Sequence, residues 1–310
     1  MAQLRARVAD GAKMVAMSTP VARRVAFEYP PDIAPIWTPA KPEFSCAANS
    51  VSLMMPTVEP YFVRSIRAAL PRLDGPLRQR TEAYLFQEAQ HHRQHVLFNR
   101  ALLGRYVGLA RLGHMIGLAY RWVERAGSLQ FNVAFAAGSE TMAYSAARWA
   151  ARHRRQLFTG ADEVASTLFL WHLAEEVEHK SVAHDVYRHL FGGGWRAQLL
   201  RMAATAVALA LMVIFVVTGT AVMVTAEGRL HRPVAWLRLI GWSVTFAFEL
   251  LSNLVLSMLP GHHPGDFVDP LWYEIWLKEF DAETATVPVW HRSGAERQAH
   301  PLEPSPLEPT

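Results

Sequence analysis

Two Glu-x-x-His units punctuate the chain, Glu88 with His91 and Glu176 with His179, and each sets a carboxylate and an imidazole one helical turn apart. The second lies in WHLAEEVEHK at 171–180, where His172 adds an imidazole four residues before Glu176. At ~100° per residue, His172, Glu176 and His179 fall within an arc of roughly 60° on one side of a helix. The first lies in QEAQHHRQH at 87–95, where Glu88 is followed by His91, His92 and His95 at i+3, i+4 and i+7. Carboxylates and imidazoles on one stripe, without thiolate, suit iron, manganese or zinc. The plainer alternative is a partly exposed polar face, with Glu175, Glu178 and Lys180 solvated beside it.

The helices that must position these residues are read from apolar period and from Pro and Gly breaks. Residues 1–55 hold Pro20, Pro30, Pro31, Pro35, Pro39 and Pro42 and read as an irregular arm packing over something else. A helix is expected over 57–70, with Thr57 as N-cap and Pro60 tolerated in its first turn. A turn at 71–76 precedes a helix over 77–103 that Gly104 stops. Further helices are expected over 105–125, 129–156 and 162–190, the last ended by Gly192, Gly193 and Gly194. No alternating strand pattern appears, so the expected fold class is all-α.

On these helices Glu59, Glu88/His91, Glu140 and Glu176/His179 come one set per helix. That is the order used by ferritin-like dinuclear carboxylate bundles. Glu59 lies about 12 residues before the first turn and Glu88 about 11 after it, rises of ~18 and ~17 Å in opposite directions, so the two carboxylates end level. Glu140 and Glu176, about 16 and 14 residues either side of the 159–160 break, end level as well. The helix over 105–125 serves as the long crossover between the second and third ligand helices. Glu140 sits in an almost wholly apolar stretch, where a bare carboxylate would cost several kcal/mol unless paired or metal-bound.

The candidate ligands are therefore Glu59, Glu88, His91, Glu140, His172, Glu176 and His179, with His95 as a further candidate or an outer-sphere donor. His92 competes with His91 but reads as an exposed neighbour. Asp185 and Tyr187 are candidates to orient a ligand imidazole, and His262 and His263 beside Asp266 form a looser possibility in a Gly/Pro loop.

With those motifs quoted, the chain resembles, over about 45–280, the bacterial family described as predicted metal-dependent hydrolases. The stretches that carry the resemblance are 87–95, 171–187 and 262–266. The ligand order, with His172 ahead of the last Glu-x-x-His, is also similar to that of di-iron arylamine N-oxygenases. The chain departs from the usual pattern at Pro60, directly after Glu59, and at the His91-His92 doublet.

Beyond the bundle the text changes. Residues 202–226 hold no charged side chain, a length able to span a bilayer, and 233–259 hold only Arg238 and Glu249. Two readings stand: a hydrophobic hairpin buried against the bundle or in a homodimer interface, or a membrane anchor. A short helix over 270–280 and a Pro-rich, disordered tail from about 286 follow. The domain plan is thus an arm to 55, a metal-binding bundle over 56–191, the hairpin over 196–260, a loop and short helix over 261–285, and the tail.

The 310-residue chain is 51% apolar and 19% charged, with a net charge of +4 and no dense basic block, which disfavours a nucleic-acid partner. Its single cysteine, Cys46, excludes an intrachain disulfide and a cysteine-based metal site. No signal-peptide pattern opens the chain, so the expected place is the cytoplasm or the cytoplasmic face of the inner membrane. The expected cofactor is two metal ions, iron first, with manganese or zinc as alternatives. Four carboxylates balance two divalent ions, which leads to an O2-activating di-iron oxygenase or oxidase acting on a small or lipid-like organic substrate. The alternatives are a hydrolase using a metal-bound hydroxide and a non-enzymatic metal-binding or membrane-associated protein.

Overall fold

A computed structural model of the chain describes residues 20–279 apart from 22, 24–26 and 31–32. The tail expected from 286 and residues 1–19 of the arm lie outside the described residues. No strand occurs among the described residues, and the fold is an all-α bundle.

The first hairpin pairs α1 (Pro42–Ala69) with α2 (Gly75–Arg105). α1 begins fifteen residues before the Thr57 start expected for it, so the irregular arm ends at Lys41 rather than 55. Pro56 and Pro60 lie inside it. An interior proline ordinarily costs about 3 kcal/mol. Packing overrides that cost here, because Phe44, Cys46, Leu53, Met54, Val58, Tyr61, Phe62 and Ile66 all lie in the core. The short arm segment before α1 does pack over the bundle. Trp37 is buried between Phe158 and Phe169, and its Nε1–H donates to Asn49 Oδ1 at 3.0 Å.

The turn into α2 uses Gly75 at φ +50°, with Pro76 at the helix start, where its missing N–H costs nothing. α2 runs past Gly104 and ends when Tyr106 turns extended. α3 (Val107–Ala126) crosses back along α1, and Ser128 then caps α4 (Leu129–Phe158) by accepting from the Phe131 N–H. Asp162 caps α5 (Glu163–His179) through the Ala165 N–H at 2.9 Å.

The helix expected over 162–190 is two helices, α5 and α6 (Val182–Phe191), broken directly after His179. Side chains hold the break. Arg80 of α2 donates to Ser181 Oγ and to Asp185 Oδ2, each at 2.9 Å, and Lys180 reaches Asp269. Serine and aspartate groups bonded this way compete with helix hydrogen bonds.

α7 (Trp195–Ala226) and α8 (Pro233–Met258) carry the apolar runs. They do not form a self-packed hairpin. α7 lies along α1 and α4, and α8 along α4, with little contact between the two. Small residues permit the fit: Gly138 of α4 leaves no room for a Cβ beside Thr205, and a Cβ on Gly219 would meet Ser50 Oγ at 2.8 Å. Only 28% of the most apolar stretch of α7 and 22% of that of α8 is buried, and Val213, Ile214, Val217, Leu237, Val244 and Phe248 face outward. Both helices are long and apolar enough to cross a membrane. α9 (Leu271–Glu279) closes over α5.

Candidate metal centre

The two hairpins bring all eight sequence-selected residues into one buried centre. Glu59 comes from α1; Glu88, His91 and His95 from α2; Glu140 from α4; His172, Glu176 and His179 from α5. All are at least nine-tenths buried as whole residues. Donor atoms of Glu88, His91, Glu176 and His179 lie within 4.8 Å of one another, as do those of Glu59, His95 and His172.

His179 Nδ1 is the focus of the first group, 2.9 Å from Glu140 Oε2, 3.6 Å from Glu88 Oε1 and 4.0 Å from Glu176 Oε2. Tyr84 O–H donates to the other oxygen of Glu140 at 2.8 Å. Glu176 joins the groups, because its Oε1 is 2.7 Å from His172 Nε2 and 3.8 Å from His91 Nδ1. Glu59 approaches His172 Nε2 at 3.8 Å, too far for a hydrogen bond. Among the described residues, neither oxygen of Glu59 nor Nδ1 of His91 has a hydrogen-bond partner.

Those unpartnered polar atoms suit a bound cation. Burial, reinforced by Glu176 and Glu140, pushes the Glu59 carboxyl well above the usual range. Burial and the facing Glu140 and Glu176 do the same to Glu88, and burial raises Glu140 to about 7. Glu176 goes the other way: burial opposes its ionisation, but the facing His179, the largest opposing influence, favours it. Four carboxylates in one apolar core cannot all ionise without compensating charge. Two divalent ions supply +4 against −4, so the residues fit a dinuclear site.

Glu175 and Glu178, expected to be solvated, are buried. Arg23 grips Glu178 with two nitrogens at 2.6 and 2.9 Å and reaches Glu175 at 3.2 Å, and Gln87 also donates to Glu178. Glu175 Oε2 lies 3.1 Å from His91 Nε2. In its ionised form, held by Arg23, Glu175 can only accept, so Nε2 then carries the proton and the lone pair of His91 sits on Nδ1, facing the centre. The signal was available: Glu175 follows His172 by three residues and precedes His179 by four, at the edge of the same stripe.

The secondary candidates fall elsewhere. Asp185 binds Arg80, Ser181 and His263 rather than a ligand imidazole, and Tyr187 O–H donates to the Ala197 carbonyl. His263 spends both ring nitrogens, on Asp185 and on the Gly265 N–H. Among the described residues, no metal-capable group includes His262, His263 or Asp266. His92 is half-buried and outside both groups.

Fold and centre together define a helical bundle with buried Glu/His clusters able to hold metal ions. The chain belongs to the family described as predicted metal-dependent hydrolases, which it matches over residues 21–267. No curated protein and no solved structure matches it.

Proposed function

We propose that this protein is a dinuclear metalloenzyme whose ions are held by Glu59, Glu88, His91, Glu140, His172, Glu176 and His179. One observation carries the reading: Glu59 is a fully buried carboxylate with no hydrogen-bond partner among the described residues, aimed at two further carboxylates and an imidazole. Ionised, such a group is stable only beside a cation.

The donor pattern, one Glu from each of two helices and a Glu-x-x-His from each of two more, is that of ferritin-like di-iron and di-manganese bundles. It favours iron and an O2-dependent oxidation of a small or lipid-like organic molecule. The second reading, hydrolysis, rests on the family description. Bound ions supply either electrons to O2 or Lewis-acid activation of water. The chain's own part is common to both. Glu175 and Tyr84 fix the rings and carboxylates, and Trp171, Phe169 and Tyr84 exclude bulk water.

The test compares the full-length chain loaded anaerobically with Fe(II) and loaded with Zn(II). The oxidation reading expects one burst of O2 consumption per Fe-loaded chain and no ester hydrolysis by the zinc form. Zinc-dependent ester hydrolysis with no O2 uptake by the iron form replaces it with the second reading.

A further inference from the structure

Distance alone groups His95 with Glu59 and His172 as a metal-capable set. Hydrogen-bond accounting separates it. Pro56 has no N–H, so the carbonyl of Ser52, four residues earlier in α1, receives no helical hydrogen bond from that position. Asn99 of α2 fills the gap, its Nδ2 lying 2.7 Å from Ser52 O. A carbonyl only accepts, so the amide's nitrogen must face it, and its Oδ1 must face Ser52 Oγ, 2.7 Å away. Oδ1 also only accepts, so the single hydroxyl proton of Ser52 points at Asn99.

The rest follows in one direction. Ser52 Oγ lies 2.8 Å from His95 Nδ1 with its proton already committed, so Nδ1 carries a proton. Among the described residues His95 hydrogen-bonds Ser52 and His172 and has no carboxylate partner to hold a second proton, so its Nε2 holds a lone pair. That Nε2 is 2.7 Å from His172 Nδ1, which must therefore be protonated. His172 Nε2 is left as a bare lone pair, 2.7 Å from Glu176 Oε1 and 3.8 Å from Glu59 Oε1. Lone pair facing carboxylate is repulsive unless a cation lies between them. The chain ends on an amide that cannot pass a proton onward, so it orients rather than conducts.

We infer that Pro56, Asn99, Ser52 and His95 form a one-way hydrogen-bond chain that presents His172 to the metal through Nε2. In it His95 is a positioning residue and not a ligand. This rests on the dinuclear reading above and deepens it.

The test loads the full-length, 15N-histidine-labelled protein with 113Cd(II), counts bound cadmium, and reads cadmium–nitrogen coupling and ring tautomers by NMR. The expected result is two cadmium ions per chain, coupling to His172 Nε2, none to His95, and a proton on Nδ1 of both rings. Ser52→Ala should weaken one of the two ions about 10–100-fold, as loss of an outer-sphere partner does, and Ser52→Thr should restore it. Coupling to His95 with two ions bound overturns this inference and leaves the dinuclear reading standing. Wild-type protein that binds no cadmium overturns both. Should Ser52→Ala fail to fold, the wild-type coupling pattern decides alone.

Discussion

The centre of the bundle and its outer helices invert the usual distribution of residues. At the centre, Glu59, Glu88, Glu140 and Glu176 lie among aromatic side chains, each no more than 4% exposed. On α7 and α8, Val217 is 61% exposed, Leu237 70% and Phe248 75%. Buried ionisable groups cost free energy unless compensated, and contiguous exposed apolar surface marks a place where something else docks. On the proposed reading each region is completed from outside the chain, the inner one by cations and the outer one by an apolar surrounding. The pairing differs too. Inner donors are fixed by named partners such as Tyr84 and Glu175, whereas Val217, Leu237 and Phe248 project their apolar side chains outward.

Changes at the centre should break the comparison most severely. Glu176→Ala removes the one carboxylate that reaches His91, His172 and His179, so uptake of both metal ions should be lost, as read by metal analysis after gel filtration. Removing the metal from wild-type protein should lower the unfolding temperature. With free ion at 100-fold above its dissociation constant the linkage is about 2.7 kcal/mol, or about 5–10 °C for a chain of this size. An unchanged thermal scan after chelation would mean that the carboxylates are compensated some other way.

A smaller effect is expected one layer out. Glu175→Gln keeps the shape but replaces the anionic partner of His91 Nε2 and weakens the grip of Arg23. Metal affinity should fall about 10–100-fold with the fold retained, measured by competition against a coloured chelator. The smallest change in stability belongs to the outer face. Phe248→Lys should alter the unfolding free energy by no more than about 0.5 kcal/mol, yet reduce co-sedimentation with uncharged phosphatidylcholine vesicles. Unaltered co-sedimentation would remove the lipid-facing reading of α8.

Much of this architecture was legible from helical arithmetic. Counting residues back from the 71–76 and 159–160 turns put Glu59 level with Glu88 and Glu140 level with Glu176, and the structure brings all four together. That reading works because rise per residue is fixed whatever the packing. What escaped it depends on tertiary contacts. The helix expected to start at Thr57, with Pro60 in its first turn, starts at Pro42 instead, and the core side chains of 44–54 and the Asn99 amide hold Pro56 and Pro60 inside a continuous α1. Glu175 and Glu178 looked solvated because their cover, Arg23, lies more than 150 residues away in the chain. The break after His179 is set by Arg80, which no local pattern at 179–182 announces. The apolar pattern of 202–226 and 233–259 gave two long helices but not their packing, since an apolar run does not say which face will be covered.

The most direct test of the central claim is a metal count on the full-length chain, reconstituted anaerobically with Fe(II) and freed of loosely held ion. Two irons per chain, falling to none in Glu176→Ala, is the predicted result. One iron or fewer in the wild type, or two retained by the variant, would contradict a dinuclear centre built on these four helices.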